Sequence, residues 1–263
     1  MRYFVISDIH GDYEVLEKLM RFHNPDKERL IFIGDICSKG KYSYECMAVV
    51  KELVEKFNAI LIKGNHEFMF IQFLINPKKA IAYVDSYANG IPTLESFGSE
   101  LLRRGYTEES LNSIEKLTSA IKKEFNNFLH FFQEAPLYFT SKRYVFSHAG
   151  ISPTVASLEE LTNDYDAMMW GGESTYKQAH ILDKISVFGH MPTQNMAGSI
   201  GGLPHYIKEF KKLAIDGGGF IREPESNPSI NAVILSDDSR AKKAKYISIN
   251  TLNHKVTKGL IDL

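Results

Sequence analysis

The stretch Ala59-Ile60-Leu61-Ile62-Lys63-Gly64-Asn65-His66-Glu67 passes from an apolar run, through a lysine and a glycine, to an amide and an imidazole. A short continuous apolar run of this kind is typical of a buried parallel strand. Ligands of open α/β sheets bind beyond the carboxyl ends of such strands. Asn65 and His66 therefore stand where binding or catalytic groups are commonly found.

Four other apolar runs end in the same way. Asp8 and His10 follow the run 3–6, Asp35 follows 30–33, His148 follows 144–146, and His190 follows 185–188. A nearby glycine lets the backbone turn sharply or approach a neighbour closely. One such motif would fit a turn cap or a structural histidine equally well. Five strands that end alike predict instead that these side chains converge on one site.

The order of the predicted elements indicates an α/β fold. The first third reads β-α-β-α-β, which predicts right-handed crossovers and a parallel core. Residues 68–140 predict a helical insertion beside the sheet, with a helix at 68–75, a loop at 89–92 and a long helix opened near Thr107. Runs at 232–235 and 246–249 predict a closing hairpin or edge pair, and late strands are candidates for a second sheet. We expect one domain over residues 1–263.

Composition excludes several classes of protein. A net charge of −1 leaves no electrostatic footprint for nucleic acid or an anionic membrane, so neither is an expected partner. Two cysteines, Cys37 and Cys46, are too few for a disulfide scaffold and are expected to be reduced. With no signal-peptide pattern and no apolar run of membrane-spanning length, we predict a cytoplasmic protein. The sequence does not predict an oligomeric state.

The strand-end residues form a set of mixed oxygen and nitrogen donors. They are Asp8, His10, Asp35, Asn65, His148 and His190. Such a set suits Mn²⁺, Fe or Zn²⁺ better than Ca²⁺ or an iron–sulfur cluster. Two ions roughly 3.5–4 Å apart could be held if one carboxylate bridged them. We predict Asp8 and His10 on the first ion, Asn65, His148 and His190 on the second, and Asp35 between the two.

Ordered motifs give the chain a resemblance to a known superfamily. They are Asp8-Ile9-His10-Gly11, Gly34-Asp35, Gly64-Asn65-His66-Glu67, Ser147-His148-Ala149-Gly150, Gly189-His190-Met191-Pro192-Thr193 and Ile215-Asp216-Gly217-Gly218. The set resembles the calcineurin-like metallophosphoesterases, most closely the bacterial and phage relatives of the Ser/Thr phosphoprotein phosphatases. His190 is followed by Met191 and not by a second ligand at His-x-His spacing, which favours the phosphoprotein-phosphatase branch over the nuclease-like and purple-acid-like branches.

The resemblance implies both a fold and a mechanism. The fold is a four-layer α/β/β/α sandwich. The mechanism is direct attack on phosphorus by a hydroxide bound to a dinuclear centre, with Mn²⁺ expected first and Fe or Zn²⁺ as alternatives. His66 would be the general acid that protonates the leaving group, the alternative being a structural histidine that caps the turn.

Four positions depart from the phosphatase pattern. Ser38 replaces the Asp that orients the general-acid histidine, Lys39 and Lys63 stand where Arg is usual, and Gly172 replaces the Arg of a Trp-x-Arg segment. We predict that Lys39 and Lys63 bind substrate, as point charges rather than as the planar forks of Arg. The alternative for each is a solvated surface lysine.

Three functions stay open at this level. The first is a metal-dependent phosphomonoesterase, with phosphoserine or phosphothreonine proteins as candidate substrates. The second resembles the symmetrical dinucleoside tetraphosphatases, which also carry a small residue at the position of Ser38 but retain the Arg and usually have Asp where Glu67 stands. The third is a metal-binding, phosphate-recognition module with weak turnover.

Overall fold

Two mixed β-sheets lie face to face in the computed structural model, which describes residues 1–85 and 88–263. The strands are β1 (Arg2–Ile6), β2 (Arg29–Ile33), β3 (Ile60–Ile62), β4 (Tyr138–Thr140), β5 (Tyr144–Ser147), β6 (Ile185–Phe188), β7 (His205–Ile207), β8 (Lys212–Ala214), β9 (Ser229–Ser236), β10 (Lys243–Asn250) and β11 (Val256–Asp262). The helices are α1 (Tyr13–Met20), α2 (Ser43–Phe57), α3 (Asn65–Ile75), α4 (Ala82–Asp85), α5 (Ile91–Arg103), α6 (Ile114–Gln133), α7 (Tyr165–Trp170) and α8 (Glu173–Lys177). Ser86 and Tyr87, within the predicted insertion, lie outside the described residues.

Each sheet has a parallel centre. The first has the order β11-β10-β9-β1-β2-β3, in which β1, β2 and β3 are parallel and β9 runs antiparallel to β1. The second has the order β4-β5-β6-β8-β7, in which β5, β6 and β8 are parallel. The predicted parallel β-α-β-α-β start is confirmed. The carboxyl ends of parallel strands share one edge of each sheet, which is where the predicted ligands follow.

The strands at the centre are buried on both faces. In β1, Val5 packs between the two sheets, in one cluster with Phe146 and Leu213, whereas Phe4 packs against the helices on the outer side. Shorter helical segments cover the outer face of the second sheet, where Val145 packs with Met168. Double-sided burial explains why these strands read as continuous apolar runs rather than alternating ones. The four layers confirm the predicted α/β/β/α fold.

The insertion is helical, as predicted, but its boundaries differ. α3 begins at Asn65 and not at Phe68, so the polar end of the motif forms the first turn of a helix. The predicted loop at 89–92 ends early, because Pro92 lies in the first turn of α5, where its missing N–H costs no hydrogen bond. The long helix begins at Ile114, since the Ser113 hydroxyl caps it by accepting the N–H of Lys116, and Thr107 precedes a separate turn.

The strands from Tyr144 onwards divide between the two sheets, and β5, β6 and β8 form the centre of the second sheet that late strands were expected to build. β9 and β10 pair antiparallel, which confirms the predicted hairpin or edge pair. They do not build a second sheet. They join the first sheet beside β1, and β11 extends its edge. The second sheet comes from residues 138–214 instead, and it includes the short strands β4 and β7, which the sequence did not predict.

Among the helices that the structure describes, none combines the length and the apolar character required to cross a membrane.

Candidate metal centre

The turns that follow the strands give the site its shape. Asp8, His10, Asp35 and His190 have positive φ angles of 55°, 48°, 53° and 64°. Non-glycine residues adopt this left-handed region rarely, and such strained backbone is concentrated at functional sites. Four of the six predicted ligands share it. The strand ends therefore turn sharply at the residues whose side chains enter the site.

Asp35 lies at the centre of two groups of potential ligands. One group contains His10, Asp35 and His66, the other contains Asp35, His148 and His190, and the ligand atoms in each lie within 4.8 Å of one another. Asp35 Oδ2 is 3.7 Å from both His10 Nε2 and His66 Nε2. Asp35 Oδ1 is 3.4 Å from His148 Nε2. Each carboxylate oxygen thus faces one group, an arrangement that suits the predicted bridging role.

Asn65 belongs to the second group. Its Oδ1 lies 2.8 Å from His148 Nε2 and 3.0 Å from His190 Nδ1. Asn65 reaches this position from the first residue of α3, directly after β3. The structure therefore brings together all four side chains predicted for the second ion.

Asp8 lies beside the two groups rather than inside them. Its carboxylate accepts hydrogen bonds from the Ser7 hydroxyl and from the main-chain N–H of His190, the latter at 3.1 Å. Burial, followed by the charges of Asp216 and Asp35, raises the pKa of Asp8 well above its usual value. His66, not Asp8, shares the compact first group with His10 and Asp35, and the ligand role of Asp8 stays a prediction.

Main-chain carbonyls fix the orientation of two imidazoles. His10 Nδ1–H donates to the Cys37 carbonyl at 3.1 Å, and His148 Nδ1–H donates to the Ile33 carbonyl at 3.0 Å. Because a carbonyl can only accept, Nδ1 carries the proton and Nε2 presents its lone pair to Asp35. Burial lowers the pKa of His148 to about 3, so this ring is neutral, as a metal ligand must be.

Asp216 is a buried carboxylate of the site that the ligand prediction left out. It follows β8, and its Oδ1 accepts the N–H of Gly218 at 2.8 Å, whereas Oδ2 is buried and has no hydrogen-bond partner in the part of the chain that the structure describes. Burial raises the pKa of Asp216 to about 6. The signal was present in the sequence, because Asp216 directly follows the apolar run 213–215, much as Asp35 follows the run 30–33 after one glycine.

The donor set fits divalent cations. Asp8, Asp35 and Asp216 are all buried, and burial is the main reason that each pKa is raised. Lys39 acts electrostatically on all three. Buried charges in proteins are paired or coordinate metals, and one lysine offsets only part of three carboxylates. Neutral imidazoles, an amide oxygen and carboxylates in contact are the ligands expected for Mn²⁺, Fe or Zn²⁺.

Glu67 holds the loop that carries Asp35. Its fully buried carboxylate accepts main-chain N–H groups from Asp35 at 2.9 Å, Ile36 at 2.7 Å, Cys37 at 3.2 Å and Gly64 at 3.0 Å. A carboxylate that accepts four N–H groups from two segments fixes their relative position. Glu67 therefore links the ends of β2 and β3, a role that the ligand prediction did not include.

No carboxylate among the described residues orients the Nδ1 atom of His66. Its main-chain N–H donates to Asp35 Oδ1 at 3.0 Å, but Nδ1 is buried and has no hydrogen-bond partner among the described residues. Ser38 does not replace the missing Asp, since its hydroxyl lies 3.1 Å from the Tyr83 hydroxyl. Burial, then the charge of Lys39, lowers the pKa of His66 well below its usual value.

The two predicted substrate-binding lysines have different surroundings. A cavity of about 270 Å³ opens over the metal-binding groups, and Lys39 lines it together with Trp170 and Phe220. Lys63 is not among the residues that line this cavity. The main-chain N–H of Lys63 donates to the Pro136 carbonyl at 2.9 Å. The structure thus gives Lys39 a place beside the site, while substrate binding by Lys63 has no geometric support and stays a prediction.

A family model for calcineurin-like phosphoesterases matches residues 1–216. This range contains all six predicted ligands, His66 and Asp216.

Two curated relatives have similar sequences. A bis(5'-nucleosyl)-tetraphosphatase PrpE, described as asymmetrical, from Halalkalibacterium halodurans is 26% identical over 57% of this chain and 58% of its own length. A symmetrical bis(5'-nucleosyl)-tetraphosphatase from Actinobacillus succinogenes is 25% identical over 66% of this chain and 54% of its own length. The chain thus matches little more than half the length of these relatives.

A solved protein serine/threonine phosphatase from Saccharomyces cerevisiae has a similar fold. It superposes on all of this chain and on 80% of its own, with a TM-score of 0.53 and 15% identity. At this identity the likeness shows a shared fold.

Proposed function

The chain belongs to the calcineurin-like phosphoesterase family, and from this premise we propose that it hydrolyses phosphoesters with two divalent cations bound around Asp35. The observation that carries the proposal is the placement of Asp35, whose two carboxylate oxygens face two separate groups of ligands. His10 and Asp8 would complete the first site. Asn65, His148 and His190 would complete the second.

The residues around the cavity have distinct roles in this proposal. When bound, the cations supply Lewis acidity that activates water and neutralises phosphoryl oxygens. Lys39 attracts the substrate phosphate through its charge at the edge of the cavity. His66 donates a proton to the leaving oxygen from a position 3.7 Å from Asp35 Oδ2. Glu67 keeps Asp35 in place through the main chain. Mn²⁺ is the first expectation for the metal, with Fe and Zn²⁺ as alternatives.

The test is a substitution of the shared carboxylate. We expect Asp35→Asn to lower Mn²⁺-dependent hydrolysis of 4-nitrophenyl phosphate by at least about 100-fold, because the amide cannot bridge two cations. Metal analysis should show a fall from two ions per chain to one or none. Asp26→Asn, at an exposed carboxylate, is the matched control. Full activity in Asp35→Asn would refute the proposal, and two bound ions in the wild type without turnover would favour a phosphate-recognition module.

A dinucleoside polyphosphate is the second candidate substrate, favoured by the two relatives that are named tetraphosphatases. The sequence prediction was a phosphomonoester, including phosphoserine or phosphothreonine in proteins. Incubation with diadenosine tetraphosphate, an aryl phosphate and a phosphopeptide, followed by chromatography of the products, separates the candidates. Two identical nucleotide products would indicate symmetrical cleavage, and two different ones asymmetrical cleavage.

The expected cellular setting belongs to the same proposal. A phosphorylated substrate is the expected partner, with no nucleic acid and no membrane, and the expected location is the cytoplasm. Fractionation of cells that express the tagged full chain would test the location.

A further inference from the structure

A second cavity adjoins the cavity over the metal-binding groups. It measures about 310 Å³, and its walls include Lys41, Tyr42, Arg222 and Thr251. His10, Lys39 and Phe220 line both cavities. Its volume is at the lower end of the range for small-molecule sites. A substrate whose phosphate lies at the metals can therefore extend past these shared residues without leaving the protein surface.

The acidic residues of this second cavity are engaged with neighbouring groups. Glu14 lies 2.8 Å from Lys18 Nζ and 3.0 Å from His254 Nδ1. Asp12 caps α1 by accepting the N–H of Val15 at 3.1 Å. Lys18 offsets the charge of Glu14, whereas Arg222 acts electrostatically on Asp12.

Two exposed basic residues belong to the second cavity. Lys41 and Arg222 are exposed, and neither forms an ion pair with any residue that the structure describes. Lys39, at the boundary with the metal centre, is already engaged electrostatically with Asp35, Asp216 and Asp8. The positive charge that the second cavity offers is therefore that of Lys41 and Arg222. Two exposed basic groups at one cavity attract an anion.

An aromatic ring stands at the boundary between the cavities. Lys39 Nζ lies 3.2 Å from the centre of the Phe220 ring, and the His10 ring meets Phe220 edge-on at 5.3 Å. Tyr42 adds a second, exposed ring on the outer wall. Because Lys39 covers one face of Phe220, the exposed Tyr42 is the ring on which a nucleobase can stack. The cavity therefore combines charges for phosphate with a surface for a base.

We propose that the second cavity binds the phosphate groups beyond the scissile one, so that the substrates are nucleoside polyphosphates. This inference rests on the proposed function. In the reaction one P–O bond of a phosphoanhydride breaks, and water supplies the hydroxyl to the attacked phosphorus and the proton to the departing phosphate oxygen. A phosphoserine side chain would present no further anion to Lys41 and Arg222, and for that reason a phosphoprotein fits this cavity less well.

The test compares Lys41→Ala, Arg222→Ala and the double variant with the wild type in Mn²⁺. Lys122→Ala, at an exposed lysine of α6 that lines neither cavity, is the charge-matched control. Calorimetry measures binding of the non-hydrolysable β,γ-methylene analogue of ATP. Kinetics gives the ratio of kcat/KM for diadenosine tetraphosphate to kcat/KM for 4-nitrophenyl phosphate.

We expect each substitution to weaken binding of the analogue, and to lower the kinetic ratio, by about tenfold, since each removes a charge-assisted hydrogen bond. Equal binding in all variants, or no binding by the wild type, would overturn the subsite. If the wild type hydrolyses neither substrate but binds the analogue through Lys41 and Arg222, the subsite stands and the proposed function fails. If the aryl phosphate is hydrolysed and the variants bind the analogue as the wild type does, the proposed function stands and the subsite fails.

Discussion

Glu67 shows how much of the site depends on one residue that would not contact the substrate. Its carboxylate is fully buried, and it satisfies four main-chain N–H groups around Asp35 and Gly64. A buried donor left without an acceptor costs about 1–3 kcal/mol. The position of Asp35 is therefore set by hydrogen bonds to the main chain as well as by the turn after β2.

We expect Glu67→Gln to lower the free energy of unfolding by about 1–3 kcal/mol, because the amide group replaces one acceptor oxygen with a donor that faces N–H groups. Urea unfolding in EDTA measures the change without a contribution from bound metal. Glu17→Gln, at an exposed carboxylate 3.8 Å from Arg21, is the control and should shift stability by less than about 0.5 kcal/mol. An unchanged midpoint in Glu67→Gln would show that these four bonds do not stabilise the loop.

The role of His66 is a separate question. Its Nε2 lies 3.7 Å from Asp35 Oδ2, close enough to the metal-binding groups for His66 to be either a metal ligand or a proton donor. If it is the donor, His66→Asn should lower kcat by about 10²–10⁴ for an alkyl phosphate and far less for an aryl phosphate whose leaving group needs no proton. The bound metal should stay at two ions per chain. Loss of one ion, with equal losses of kcat on both substrates, would assign His66 to the first metal group instead.

At this scale the sequence predicted much of the site, because strand ends in a parallel sheet share an edge. That rule brings Asp35 and Asn65 together at the edge of the first sheet, and His148 and His190 together at the edge of the second. The meeting of the two pairs depends on how the sheets pack face to face, which the rule does not predict. Asp216 also follows a strand end, but it was predicted only as part of the motif at 215–218 and was not placed in the ligand set. The lack of a hydrogen-bond partner for His66 Nδ1 among the described residues agrees with the replacement of the orienting Asp by Ser38. The contact of the Ser38 hydroxyl with Tyr83, across 45 residues of sequence, could not be predicted.

At the scale of elements, the junction of β3 and α3 is tightly packed. A Cβ placed on Gly64 would collide with the main chain and side chain of Asp35 and would come within 2.9 Å of Glu67 Oε2. The backbone at Gly64 is extended, so its φ angle does not require glycine. Close approach between two strand ends is the reason for a glycine at this position.

We therefore expect Gly64→Ala to destabilise the protein by about 1–3 kcal/mol and to reduce metal binding, as overpacking at Asp35 would displace a ligand. The paired variant is Gly98→Ala in α5, where a Cβ would meet only Leu117 Cδ1 at 3.5 Å. Replacing a helical glycine should raise stability by up to about 1 kcal/mol. Thermal unfolding of both variants checks the contrast, and a neutral Gly64→Ala would disprove the close approach.

Elements with a strong apolar period were predictable and elements without one were not. The five buried apolar positions of α6 include Ile121, Phe125 and Phe132, and that period was recognised in the sequence. The start of α5 was missed because Pro92 was taken as a loop signal, although proline is also favoured in a first turn. β11 was missed because most of its side chains face solvent at a sheet edge and carry no apolar pattern.

For the whole molecule, the sequence indicated how many layers to expect but not which strands belong to which sheet. The run that became β9 has the same apolar character as the runs in the second sheet. Its register with β1, in which Val5 faces Val233, depends on contacts more than 200 residues apart. Local propensity does not encode such pairing, because it is decided by packing in the folded chain.

The buried carboxyl group of Asp216 affects the stability of the whole molecule. Burial raises the pKa of Asp216 to about 6 from an ordinary value of 3.8. A carboxyl whose pKa is raised in the folded state lowers the stability of the protein as the pH rises from about 4 to about 6, and the full loss of stability is present above that window. Metal-free protein at neutral pH therefore carries a destabilising charge that a bound cation would offset.

We expect Asp216→Asn to be more stable than the wild type in EDTA at pH 7.5, by about 2 kcal/mol, and to lose most of that advantage near pH 4. The Asn Oδ1 can still accept the Gly218 N–H, so the hydrogen bond is kept while the charge is removed. Mn²⁺ should then stabilise the variant less than the wild type, since less repulsion is left to offset. Urea unfolding at both pH values, with and without Mn²⁺, measures these differences, with exposed Asp183→Asn as the control. If Asp216→Asn were equally destabilised at both pH values, Asp216 would act through packing and not through its charge.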